Sequence, residues 1–413
     1  MSIFKGQKFN LSEITSSVAD YIFKESSANT KVDYYTKALY GRVMFYLLLY
    51  AILSDSKLGQ RGLADLYSSP IFRLLFNLTL EKRKISHSSI SERLSVIEVD
   101  YFKNLYEYVL KKYSIKYPAQ KLSGLKLERV DSTLVVDVAN KLSEGLSCGN
   151  EHKKGKMLKF TMNYDGMYGN FTKTHNEEKY ASECLALPEN IIEHFKKNKE
   201  HSSVYVFDRG LSSAKSFEAM KSNKNLLFVG RLLENRKLKI VKEFDLTFKK
   251  FDNAILKSDA IVKLYKKEKT TNKNGKQVET NVETETTFRV IRFCPKDKTE
   301  DIVLITNILF LRAEVIAQMY RRRWDIEVFF RFLKQELNFS HFISVNENGI
   351  QVILYMTLIT AMLIMIYKTE NNVGFKTAKR RMLIELEAEL IDMVVLLIGG
   401  DKKRLDKYYS RAP

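Results

Sequence analysis

Six side chains in this sequence have types and spacings suited to phosphate chemistry on a metal. The segment Tyr320–Lys334, YRRRWDIEVFFRFLK, reads as helix. At about 100° per residue, Tyr320, Arg323, Glu327 and Lys334 fall within an arc of roughly 60°. Ile326, Phe330, Leu333 and Leu337 form an adjoining apolar stripe that should pack on a sheet. A carboxylate flanked on one face by two cations and a phenol matches a site that holds a metal through Glu327 and aligns a phosphodiester with Arg323, Lys334 and Tyr320. A salt-bridge network is the plain alternative for such a face. Two more carboxylates stand at strand positions: Asp131 in LERVDST and Asp208 directly after VYVF, before Arg209-Gly210. An ionised Asp after four apolar strand residues is costly to bury alone, so it should be paired or bind a cation. A strand-end Asp can also simply cap a turn. Together, Asp131, Asp208 and Glu327 form a three-carboxylate set whose oxygen ligands suit Mg2+ or Mn2+.

The elements that must position these residues change character along the chain. Residues 1–120 read as helices, with apolar runs such as RVMFYLLLYAIL (Arg42–Leu53) and IFRLLFNLTL (Ile71–Leu80) separated by Ser, Gly and Pro breaks. In ISHSSISERL (Ile85–Leu94), Ser89 and Glu92 have capping-box spacing, and a capped helix after a polar turn is what a helix-turn-helix uses to enter the major groove. Any helix pair has the same look. From Leu125 the pattern becomes strand-like: LKLERVDSTLVVDV alternates, KFTMNYDGMYGNF reads as a hairpin, and SSVYVFDRG and LLFVG are short buried runs around a helix at Ser212–Met220. Residues 231–301 are basic and β-rich, with Asn274-Gly275 as a favoured hairpin turn. IVLIT (Ile302–Thr306) resumes the core strands, and one long helix is expected from about Leu311 to Leu337. Ile350–Tyr367 is apolar enough to raise a membrane span, but its polar interruptions and isolation favour a buried core helix.

The chain has 413 residues, with 68 Lys and Arg against 49 Asp and Glu, a formal net charge of +19, and 45% hydrophobic residues. That excludes disorder and low complexity. The positive charge is spread along the chain, as suits a protein that meets a long polyanion at many points; solubility is the bland reading. Three scattered cysteines and six histidines without metal-ligand spacing leave a disulfide framework or a zinc site without support and make a reducing cytosol natural. The opening MSIFKGQKF lacks a signal-peptide core, so a cytoplasmic protein is expected.

Asp131 in VDST, Asp208 in FDRG, and Tyr320, Arg323, Glu327 and Lys334 at the spacing Y-(2)-R-(3)-E-(6)-K resemble the DDE transposases of bacterial insertion sequences, in the branch with a β-strand insertion before the catalytic Glu. The resemblance runs from about Leu125 to Lys368. It implies an α/β fold with an RNase H-like core, in which Asp131, Asp208 and Glu327 bind two Mg2+ ions per active site, with Mn2+ as a substitute. It further implies that Tyr320, Arg323 and Lys334 hold the phosphates of the terminal nucleotides. The implied organisation is a helical DNA-end-binding domain (1–124), the core in two parts (125–230 and 302–368), a basic β-rich insertion (231–301) and a helical tail (369–413). The implied partners are double-stranded DNA, both terminal inverted repeats and target, and a second copy in a synaptic homodimer; no membrane is involved.

The sequence departs from the family pattern in two places. Leu211 follows DRG where an aromatic is frequent, and the only tryptophan, Trp324, lies on the catalytic helix rather than in the insert. If a base is flipped, Tyr265, Phe288 or Phe293 would have to stack it, although packing within a small sheet of the insert is the simpler role. The expected activity is cut-and-paste transposition by two-metal-ion phosphoryl transfer. A metal-dependent nuclease on the same fold and a non-enzymatic DNA-binding derivative are the competing readings.

Overall fold

The computed structural model describes residues 4, 7–8, 10, 20–54, 59–75, 84–119, 121–136, 142, 144–150, 153–198, 203–246, 250–251, 254–271, 277–296, 299–341, 343–397 and 399–401. The chain forms two compact units. One comprises residues Ala119–Val136 and Glu144–Phe329; the other comprises Met1–Pro118, Asp137–Ser143 and Phe330–Pro413.

The first unit is built on one sheet. Its strands are β1 (Lys121–Leu122), β2 (Leu125–Val136), β3 (Leu146–Asn150), β4 (Lys153–Tyr164), β5 (Gly169–His175), β6 (Ser203–Phe207) and β7 (Leu227–Leu232). They continue as β8 (Leu238–Glu243), β9 (Lys250–Phe251), β10 (Ala254–Thr271), β11 (Gln277–Glu283), β12 (Phe288–Pro295) and β13 (Ile302–Thr306). The order is β11-β10-β12-β13-β7-β6-β2-β4-β3, with β5 also on β4. β2 pairs parallel with β6, and β6 parallel with β7. β2, β4 and β5 form an antiparallel meander. Its hairpin turns at Asp165-Gly166, where the Asp165 carboxylate accepts the amides of Met167 and Tyr168 at 2.9 and 2.8 Å and Gly166 supplies a φ of +98°.

Strand alternation sends Tyr205 and Phe207 to one face and Val204 and Val206 to the other. The helices Glu183–Lys197 and Ala214–Lys221 cover the first face through Leu187, Ile191, Phe217 and Met220. The helix Ala313–Arg321 covers the second through Ile316, Ala317 and Met319. Gly230 on β7 has no substitute: an added Cβ would lie 2.3 Å from Cε2 of Phe207. His194 is buried between the Tyr205 hydroxyl at 2.9 Å and the Asn198 amide at 3.2 Å, and burial pushes its pKa down to about 4.

Three expectations need correction. The strands within 231–301 do not make a sheet of their own: β10 pairs with β12, and β12 with the core strand β13. Phe288 and Phe293 therefore lie in the apolar clusters on the two faces of this sheet. The turn at Asn274-Gly275 falls outside the described residues, but β10 and β11 pair antiparallel up to Thr271 opposite Gln277. The expected single helix from Leu311 to Leu337 is two, Ala313–Arg321 and Trp324–Glu336, separated by tight turns in which the Arg323 amide reaches the Tyr320 carbonyl and the Asp325 amide the Arg322 carbonyl. Lastly, the helix His87–Val96 is capped by Ser86, whose hydroxyl accepts the Ser89 amide at 3.1 Å, so it begins a turn before the expected Ser89–Glu92 box.

The second unit is helical. Glu347–Asn371 is its central helix, and 83% of its apolar stretch is buried, against the helices Gly41–Leu53, His87–Val96, Val99–Lys116 and Phe375–Leu397. Asn346 caps it by accepting the Gly349 amide at 2.7 Å, and Asn372 ends it in the left-handed conformation. This helix is the one long and apolar enough among the described residues to cross a membrane, and its burial accounts for its composition.

Candidate active site

Five of the six singled-out side chains meet in the sheet unit. Asp131 is set by β2, which β4 and β6 flank on either side. Its carboxylate accepts the Ser132 amide at 2.8 Å. Burial pushes its pKa up to about 7. The Ser132 amide and Arg323 oppose that rise, and the charges of Glu183 and Glu327 add to it. Asp208 directly follows β6. The Tyr320 hydroxyl, presented by the last turn of Ala313–Arg321, donates to its Oδ1 at 2.8 Å. Burial alone would raise the Asp208 pKa, but the Arg209 amide, Arg323, the Tyr320 hydroxyl and Arg231 outweigh it and hold the group below the ordinary carboxylate range.

Glu327 sits in the first turn of Trp324–Glu336, and its Oε1 takes Nη1 of Arg323 at 2.5 Å. Arg323 is 9% exposed and acts on all three carboxylates: it is bonded to Glu327 and lowers the pKa of both Asp131 and Asp208. Among the described residues, no three His, Cys, Asp or Glu side chains stand close enough to share one ion. In this arrangement the guanidinium is the positive charge that the acids have in common. Lys334 follows on the same helix, in the segment that belongs to the helical unit, and burial lowers its pKa.

Sequence reading missed the groups that support these acids. Glu183, at the start of its helix, takes the Ser132 hydroxyl on Oε2 and Nζ of Lys159 on Oε1, each at 2.9 Å, and Lys159 is only 2% exposed. A Cβ at Gly210 would fall 3.1 Å from Cγ of Glu183. Glu183 is thus wedged between the neighbour of Asp131 and the loop after Asp208. Arg129, two residues before Asp131 and on the same face of β2, donates Nε to the Arg322 carbonyl at 3.1 Å and Nη2 to Asp325 at 3.0 Å. The buried polar residues between apolar ones in LERVDST were the available signal.

Comparison with known proteins gives the family of the chain. A 175-residue stretch is 27% identical to a Sinorhizobium fredii chain named as transposase y4zB, covering 42% of this chain and 45% of that one. A 64-residue stretch is 41% identical to a chain of Geobacillus stearothermophilus named as transposase for insertion sequence element IS5377, covering 16% and 17%. Over 325 residues the identity is 23% to a chain of Synechocystis sp. named as transposase for IS4SA, covering 76% and 81%. The matched stretches thus span less than half of the first two relatives. Among solved structures, a piggyBac transposase synaptic complex with hairpin DNA aligns with a TM-score of 0.46 and 11% identity, over 98% of this chain and 85% of that one. The family described as Transposase DDE domain matches residues 130–363, a stretch that contains Asp131, Asp208, Glu327 and the residues around them, and the chain belongs to that family.

Proposed function

We propose that this protein is the transposase of an insertion sequence, cutting DNA at the element ends and joining the freed 3′-hydroxyls to target DNA. The observation that carries this reading is the meeting of Asp131, Asp208 and Glu327 around Arg323 inside the family-matched stretch. The meander β2-β4-β5 running into parallel β6 and β7, with acids on β2 and after β6, supports an RNase H-like core.

The donor atoms are of the type that hard divalent cations take, although no three of the described acids stand close enough to share one ion. All three acids offer oxygen, and Asp131 is held near neutrality by burial and by neighbouring negative charge, the condition of a carboxylate short of a cation. Asp131, Asp208 and Glu327 would hold Mg2+, or Mn2+ in its place, as a pair of ions. The chemistry these supply when bound is to lower the pKa of an attacking water or 3′-hydroxyl and to take up charge on the leaving oxygen. Tyr320 keeps Asp208 oriented and ionised through its hydroxyl. Arg323 neutralises the acids and has donors left over for a phosphate; Lys334 is assigned a phosphate as well.

The partners assigned are the inverted-repeat ends, read by the N-terminal helices, and target DNA, with the basic insert lying along the duplex. A second copy completes a synaptic homodimer, and the compartment is the cytoplasm, at the nucleoid. The test is incubation of the full chain with DNA carrying the flanking inverted repeats and Mg2+, scored for nicked, hairpin and joined products. Glu327→Gln should abolish cleavage and leave end binding intact. Undiminished cleavage by that variant would sink the assignment, and cut DNA that is never joined would point to a nuclease.

A further inference from the structure

Arg129 lies in a setting that ordinary strand packing does not require. It is 3% exposed, and its guanidinium reaches three acceptors: the Leu127 carbonyl at 3.0 Å, the Arg322 carbonyl at 3.1 Å and the Asp325 carboxylate at 3.0 Å. A Cβ on the hairpin residue Gly166 would stand 3.0 Å from its Nη1, so the turn after β4 leaves room for the guanidinium. Two of the acceptors bracket Arg323, one residue before it and two after.

In an unbroken helix the Arg322 carbonyl would accept the amide of Ile326. Here the Ile326 amide turns to Arg323, and the Arg322 carbonyl takes the Asp325 amide and Nε of Arg129. Breaking a helix leaves backbone groups that must find other partners, and Arg129 is one of those partners. The break in turn separates the element that carries Tyr320 to Asp208 from the one that carries Glu327, with Arg323 at the junction.

We propose that Arg129 is a positioning residue for the reaction: through the Arg322 carbonyl and Asp325 it fixes where Arg323 and Glu327 stand relative to Asp131 on its own strand. This rests on the reading of Asp131 and Glu327 as active-site acids. Lysine at 129 keeps the charge but cannot hold two acceptors in one planar fork. Small misplacements of reacting groups are expensive: about 1 Å can cost on the order of 100-fold in rate.

Two readouts test it in the full-length protein. Trp324, the sole tryptophan, is 52% exposed, and its ring lies 5.9 Å from the Arg323 guanidinium, so its fluorescence reports on the junction without any need for activity. Arg129→Lys should change acrylamide quenching of Trp324. It should also lower the single-turnover cleavage rate per folded molecule by about 10- to 100-fold, with end affinity changed less than about twofold. Asp325→Asn, made at a more exposed side chain, should act in the same direction, and the double variant should be no slower than Arg129→Lys alone, because both remove one unit.

The control is Arg289→Lys, at a buried two-bond pair with Asp259 (2.8 and 2.6 Å) in the same sheet. It should lower stability while leaving quenching and rate per folded molecule unchanged. Wild-type quenching and rate in both Arg129→Lys and Asp325→Asn overturn the proposal, as does an equal effect of Arg289→Lys on both readouts. A wild-type protein that never cleaves, while Trp324 still responds to Arg129→Lys, overturns the functional reading and leaves the positioning geometry in place.

Discussion

Asp131 should make the metal-free protein less stable than it need be, by an amount that depends on pH. In the folded chain burial lifts this carboxyl from 3.8 to about 7, with the charges of Glu183 and Glu327 adding to the rise. The folded state therefore holds a proton that the unfolded chain has released. Stability is highest below the unfolded pKa and is lost as pH rises through the folded one, and the full cost applies above about pH 7. A shift of roughly three units corresponds to about 4 kcal/mol, and about two of those units fall between pH 5 and pH 7. Asp131→Asn keeps the oxygen that accepts the Ser132 amide and removes the ionisation. In urea denaturation with EDTA present, the variant should be more stable than the parent by about 4 kcal/mol at pH 8 and by only about 1.5 kcal/mol at pH 5. Added Mg2+ should stabilise the parent at pH 8 and leave the variant nearly unchanged. Equal stability of the two proteins at pH 8, or a gain that does not vary with pH, would refute the reasoning that burial of an uncompensated acid is what the site stores.

Three further outcomes are expected. In the Asp131→Asn background, stability should fall as pH drops from 6.5 to 4, because His194 and His175 are both buried neutral with pKa values down at about 4 and the unfolded chain takes up the protons first, each contributing up to about 3 kcal/mol; a flat urea midpoint over that range contradicts this. Gly230→Ala should destabilise by about 1–3 kcal/mol or more, since the new methyl meets the Phe207 ring, and a neutral result in the same assay would show that the strand moves freely. Binding to a DNA duplex, followed by anisotropy against salt, should weaken by about three orders of magnitude or more between 50 and 200 mM if the basic surface touches six or more phosphates; a shallow slope counts against a DNA partner.

The candidate acids stood out in the sequence by local pattern: Asp131 among alternating apolar residues, Asp208 at the end of VYVF, and Glu327 by its spacing from Tyr320 and Arg323, a spacing read on one continuous helix that the structure breaks between Arg321 and Trp324. The same patterns marked the β4–β5 hairpin and the strands β6 and β7, but not that β2, β6 and β7 pair in parallel. What escaped were contacts between residues far apart in the chain. Nothing near Trp324 shows that the helix must break, because a partner for the freed Arg322 carbonyl comes from Arg129, 193 residues earlier. Glu183 carries no local signal, because the Ser132 hydroxyl and Lys159 that close on it come from 51 and 24 residues away. The strands of 231–301 read correctly as β but were assigned to the wrong neighbours, since edge pairing depends on β12 finding β13 and not on anything in β12 itself.

The continuity of β10 and β12 with β13 also governs how the protein can be engineered. Residues 231–301 look in sequence like a cassette, yet excising them would strip Val262, Leu264, Phe288 and Val290 from the core that contains Phe207 and Val303. Exchanging this segment with a relative's would have to recreate the β12–β13 register, Arg289 opposite Thr306 through Phe293 opposite Ile302. A fluorescent protein or affinity tag belongs instead between Thr271 and Gln277, at the far end of the β10–β11 pair, where the junction with β13 is left untouched.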